Sequence, residues 1–111
     1  MLYNNGIYNH GLFPKYNGKR LMPTKRGMME LLHLGLDLWD AAEILNSGYD
    51  CSASRRKKNK VEKCHKIGRK VIRIVAVEDF FDSEDICEEV YFIIHASEET
   101  MDKTRSRKGG T

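Results

Sequence analysis

A chain of 111 residues, 41% of them hydrophobic and 32% charged, has room for one hydrophobic core and not for two. It is too apolar to be wholly disordered, and its apolar runs are too short to cross a membrane. The net charge of +3 is small but distributed in blocks of opposite sign.

Residues 1–19 carry Asn5-Gly6, Gly11 and Asn17-Gly18, turn signals between short extended pieces. They predict a loose N-terminal ribbon, with Tyr3, Tyr8, Phe13 and Tyr16 as an aromatic lead-in or as stacking surfaces for bases. No basic stretch followed by an apolar run and a small-residue cleavage site occurs there, so the cytoplasm is the expected compartment. Thr24, just after Pro23, caps a predicted helix with Met28, Leu31 and Leu32 on one face, which Gly35 stops. Asp37 caps a second helix, with Asp40 near its positive end and Leu38, Ala41, Ala42 and Leu45 as the buried stripe, up to Gly48.

Beyond a basic loop the hydrophobic period changes from helical to alternating. Val61 to Ile67 reads as a mixed strand, Gly68-Arg69 as a hairpin turn, and Val71 to Val77 as a β-branched strand. Glu78 to Glu89 reads as an acidic connecting loop with Phe80, Phe81 and Ile86 tucked back onto the core, and Val90 to Ala96 as a further strand. The predicted fold class is α+β: two short N-terminal helices packed on an antiparallel β-meander of three to four strands. The single domain spans residues 20–97, with a flexible charged tail at 98–111. Alternation along the last strand puts Val90, Phe92, Ile94 and Ala96 under the helices. Tyr91, Ile93 and His95 then share the other face with Val71, Arg73, Val75 and Val77.

The charge blocks carry most of the functional signal. Residues 78–102 hold ten acids and no basic residue, whereas 55–73 hold Arg55, Arg56, Lys57, Lys58, Lys60, Lys63, Lys66, Arg69, Lys70 and Arg73 against one acid, Glu62. Such basic density is the footprint of phosphate binding; its alternative is a solvated stretch that keeps a sheet edge soluble. Cys51, Cys64 and Cys87 follow neither a disulfide framework nor a zinc spacing, and predict three reduced thiols and no metal site. Adjacent Cys64 and His65 would point to opposite faces of a strand, which makes them poor joint ligands. Without a phosphate-cradling glycine motif or a nucleophile elbow, no cofactor is expected.

Thr24, Gly35, Leu36 and the stretch from Asp37 to Gly48 resemble the small RelE-like ribonuclease toxins, and especially the related DUF4258 and BrnT-type proteins, over about residues 20–96. Arg26, Gly27, Glu30 and Leu34 stand where that group has its His, Ala and two Arg. The resemblance implies a metal-independent endoribonuclease in which basic residues hold the scissile phosphate while another group moves the proton of the RNA 2′-hydroxyl. On this chain His95 is the candidate acid or base, with Tyr91 beside it and Arg73 or Lys66 on the phosphate; His65 and His33 are weaker candidates. The implied partners are RNA and an acidic or helical antitoxin-like protein. Two alternatives stand beside it. One is a nucleic-acid-binding module without chemistry; the other is a protein-interaction module, such as a homodimer, that uses the acidic 78–102 segment.

Overall fold

The structure, a computed structural model, describes residues 13–51, 59–83 and 86–100. Strand β1 (Lys15–Tyr16) turns through Asn17-Gly18 into β2 (Lys19–Pro23). Both turn residues hold positive φ, 56° and 79°, the backbone that lets a two-residue turn follow the twist of its strands. The end of the predicted ribbon is therefore paired into a sheet, while residues 1–12 lie outside the described residues.

Helix α1 (Lys25–His33) begins at Thr24, whose hydroxyl accepts the Gly27 amide at 2.9 Å. The same residue binds the sheet: its hydroxyl and its amide both donate to the Ile93 carbonyl, at 2.9 and 3.0 Å. The expected stripe of Met28, Leu31 and Leu32 needs correction. Gly27 and Leu31 are buried and Leu34 packs on the core, whereas Leu32 is 64% exposed. The helix rests on its glycine: a Cβ at Gly27 would lie 2.1 Å from the Ile93 carbonyl oxygen. This direct backbone contact turns positions 27, 31 and 34 toward the sheet. Helix α2 (Leu38–Ser47) starts with Asp37 and Asp40 in a reciprocal capping box and buries Ala41, Ala42, Ile44 and Leu45, close to expectation.

The remaining strands are β3 (Tyr49–Asp50), β4 (Lys60–Ile67), β5 (Lys70–Ser83) and β6 (Ile86–Thr100). The six form one sheet in the order β1-β2-β6-β5-β4-β3. The predicted antiparallel meander is present as β4-β5-β6, but it is the centre of a larger, mixed sheet. Two strands precede the helices, and β2 runs parallel to β6 from Arg20 opposite Val90 to Pro23 opposite Ile93. In β2 only Leu21 is fully buried, so its sequence carries no apolar alternation strong enough to reveal it.

The acidic stretch expected as a loop is instead the far end of the β5–β6 ladder, paired from Glu78 opposite Tyr91 to Ser83 opposite Ile86. Its charge is met from within the chain. Lys19 pairs with Glu78 and, at 3.3 Å, with Glu89, and Arg20 grips Glu88 with two nitrogens at 2.7 and 3.2 Å. Phe81 turns back toward Phe92, ring centres 6.5 Å apart, whereas Phe80 is exposed. Strand β6 continues through Glu98 to Thr100, opposite Lys70; residues 101–111 lie outside the described residues.

A β-bulge decides which side chains face the helices. Val75 pairs with His95 and Ala76 with Ile93, so Ile94 is an extra residue on β6, and one extra residue inverts the alternation beyond it. The helix-covered core therefore takes Tyr91 and Ile93 before the bulge and Ala96 after it, together with Leu21, Leu31, Leu45, Ile72, Ile74 and Ala76. Val90 and Phe92, expected in that core, lie on the opposite face of the sheet, where Val90 is nonetheless fully buried.

The cysteine expectation is also overturned. Cys51 and Cys64 form a disulfide, with Cα atoms 5.4 Å apart and both residues buried, and Cys87 alone is free and exposed. Tyr49 pairs with Cys64, which carries Cys51, two residues on, to its partner. That approach depends on the two-residue strand β3, which leaves no trace in the hydrophobic pattern.

Candidate nucleic-acid interface

The face of the sheet turned away from the helices is built from cross-strand rows. Lys66 stands opposite Val71 and Glu99, Cys64 opposite Arg73 and Ser97, Glu62 opposite Val75 and His95, and Lys60 opposite Val77 and Phe92. Residues directly opposite in an antiparallel pair project to one side, and diagonal neighbours lie about 7–8 Å apart. Lys66 and Arg73 are such a diagonal pair, and so are Arg73 and His95. Lys60, Lys66 and Arg73 have no acidic partner among the described residues.

The other basic candidates are placed differently. Lys63 stands opposite Ile74, on the helix side, and donates to Asp50 Oδ1 at 2.8 Å. Lys70 is 3.4 Å from Glu98 Oε2, and Arg69 is exposed at the hairpin turn. Arg55, Arg56, Lys57 and Lys58 lie outside the described residues.

The three proposed catalytic side chains are not brought together. Arg73 and His95 share the open face, but Tyr91 is on the helix side with only 8% of its surface exposed. Its ring meets Tyr16 edge-on at 5.0 Å, and its hydroxyl accepts a long hydrogen bond from Asn17 Nδ2 at 3.4 Å. The expectation that Tyr91 and His95 point the same way fails because the bulge lies between them. His65 and His33 are placed apart from this face: His65 lines a small cavity with Asp40, Glu43 and Ser47 beside α2, and His33 lines a cleft beside α1 with Glu30, Ala96 and Ser97.

Sequence reasoning missed Glu30. Its carboxylate accepts the Ala96 amide at 2.9 Å and Arg26 Nε at 3.1 Å, and lies 3.5 Å from His95 Nδ1. The Ala96 amide chiefly, with the Arg26 guanidinium, holds this carboxyl below the usual carboxylate range against the opposing effect of partial burial. The only signal for it in the sequence is the four-residue spacing from Arg26. At the other end of β6, Lys19 has its pKa raised, first by its hydrogen bond to Glu78 and then by Glu89.

Among the described residues no group of three His, Cys, Asp or Glu side chains is arranged to hold a metal ion, and no helix is long and apolar enough to cross a membrane. Compared with known proteins, the chain matches no family model, no curated protein and no solved structure.

Proposed function

We propose that this chain binds nucleic acid, RNA above all, by its phosphate backbone, on the open sheet face that carries Lys60, Lys66 and Arg73, in the manner of a RelE-like protein. The observation that carries this function is the diagonal pairing of Lys66 and Arg73, neither of which is in an ion pair among the described residues although Glu62 and Glu99 are diagonal neighbours of Arg73. Two cations on neighbouring strands of one face can engage successive phosphates of a strand, and each phosphate they neutralise releases condensed counterions. The acidic 78–89 stretch offers less to a basic partner or a second copy, because Lys19 and Arg20 already meet Glu78, Glu88 and Glu89.

Anisotropy of labelled single-stranded RNA across a salt series tests it. Lys66→Ala and Arg73→Ala should each weaken binding and reduce the slope of log affinity on log salt by about 0.7. Lys63→Ala, whose amine is engaged by Asp50, should leave the slope unchanged. Absence of binding at low salt, or binding indifferent to salt, refutes the interface.

The second diagonal, Arg73 with His95, favours one further activity on the same face: metal-independent cleavage of RNA. The 2′-oxygen, its proton passing to His95, would bond to the adjacent phosphorus as the P–O5′ bond breaks, leaving a 2′,3′-cyclic phosphate and a 5′-hydroxyl that takes its proton from water, while Arg73 neutralises the phosphate oxygens and Tyr91 takes no part. Cleavage should persist with a chelator present and vanish in His95→Ala. An antitoxin-like protein is the natural partner of such an enzyme.

A further inference from the structure

Helix α1 and the end of β6 enclose a 540 Å³ cleft, walled by Met29, His33 and Leu34 on the helix and by Ala96, Ser97 and Glu98 on the strand. Its strand wall is an unfinished ladder. β2 pairs with β6 only as far as Ile93, and Glu30 closes the next open position by accepting the Ala96 amide. Backbone groups in an antiparallel pair point alternately toward and away from the neighbouring strand. Because the Ala96 amide points away from β5, the amide and carbonyl of Glu98 point away too, and they meet no backbone partner among the described residues. Across the cleft from them Met29 is 61% exposed, among the largest apolar exposures of the described residues.

We propose that this cleft receives an extended segment of a protein partner, which adds a strand to the β6 edge and places an apolar side chain and, two residues on, a lysine or arginine in the groove. An unpaired strand edge is a template for such addition, and the alternate side chains of the added strand enter whatever lies beside it. Here the first side chain meets Met29 and Leu34. The second meets Glu98, whose Oε1 has no partner among the described residues while Oε2 faces Lys70. Glu98 is the carboxylate that faces the cleft with one oxygen free among the described residues, while Glu30 is shared with Arg26, so a basic side chain is the complementary occupant and an acidic one is repelled. The site lies off the open face and does not depend on nucleic acid.

The test uses the full chain, oxidised and isotope-labelled, with the acetylated, amidated heptapeptide Thr-Val-Thr-Leu-Thr-Lys-Thr as probe. Amide shifts should be confined to residues 29–34 and 96–100. Met29→Lys, at an exposed position, should weaken binding about tenfold, and Glu98→Lys by a similar factor. The probe N-methylated in turn at Leu and at the next Thr should lose binding in at least one form, because one of those amides must pair with the strand edge. Lys66→Ala should bind the probe like the parent chain, which separates this site from the RNA interface. No shifts at about 1 mM probe, shifts centred elsewhere, or both N-methylated probes binding like the parent would each overturn the proposal.

Discussion

Replacing Gly27 by Ala sets two effects of opposite sign against each other. Alanine is the better helix former, and by propensity alone the variant should gain about 1 kcal/mol. The added methyl, however, would start 2.1 Å from the Ile93 carbonyl oxygen and 2.9 Å from its carbon, so α1 must withdraw by about 1 Å from a close-packed contact. Three hydrogen bonds hold it there: the two from Thr24 to Ile93 and the one from the Ala96 amide to Glu30. Loosening them forfeits about 1 kcal/mol each, and Leu31, fully buried, loses packing as well. The net expectation is a loss of about 2–4 kcal/mol, read as a lower urea midpoint at unchanged slope. Met29→Ala, on the exposed side of the same helix, is the control and should stay within about 0.5 kcal/mol of the parent. If Gly27→Ala unfolds at the same urea concentration as the parent or a higher one, the seating of α1 on the β6 backbone is wrong.

Three other perturbations have definite outcomes. Reducing the Cys51–Cys64 bridge, or replacing both cysteines by serine, should lower stability by about 3 kcal/mol for a loop of this length, while Cys87→Ser leaves the urea midpoint unchanged. Glu30 has its folded pKa depressed below the ordinary value of 4.5, so its contribution is whole above that value and is lost as pH falls through the folded pKa. Urea midpoints of Glu30→Gln and the parent should therefore differ near neutrality and converge in acid, and a constant difference would refute the assignment. Lys19 is shifted the other way: its contribution is whole below its ordinary pKa of 10.5 and is lost as pH rises through the higher folded value. Lys19→Met should accordingly quicken amide hydrogen exchange at residues 79–82, and unaltered exchange there would mean that β2 does not support the far end of the ladder.

What could be read in the sequence was local. Thr24 and Asp37 announce their helices because capping needs only a side-chain oxygen and the next three residues, and Asn17-Gly18 and Gly68-Arg69 announce turns for similarly short-range reasons. The β-branched run from Val71 to Val77 announces a strand. What escaped depends on partners distant in the chain. Leu21 becomes a core residue of β2 only because β6 lies beside it, and Cys51 reaches Cys64 only through β3. Acidity argued against strand at Glu78, Glu88 and Glu89, yet Lys19 and Arg20 neutralise those residues from more than fifty positions away. The candidate site was half legible. Arg73, Lys60 and Lys66 fall on one face by simple alternation, but no pattern discloses the bulge at Ile94 that separates Tyr91 from His95.

The parallel pairing of β2 with β6 has a consequence for how the protein is made. β2 lies some seventy residues before the strand it must join, so as the chain leaves the ribosome its β-edge stays unsatisfied until nearly all of the sheet has been synthesised. The β4–β5 hairpin closes through neighbours and can form early. Joining β2 to β6 requires closure of a loop that contains both helices and strands β3, β4 and β5, which makes this the slow step of acquiring the native topology. During that interval the exposed edges of β2 and β5 are open to neighbouring chains, and the lysine and arginine at the head of β2 discourage such encounters while they last.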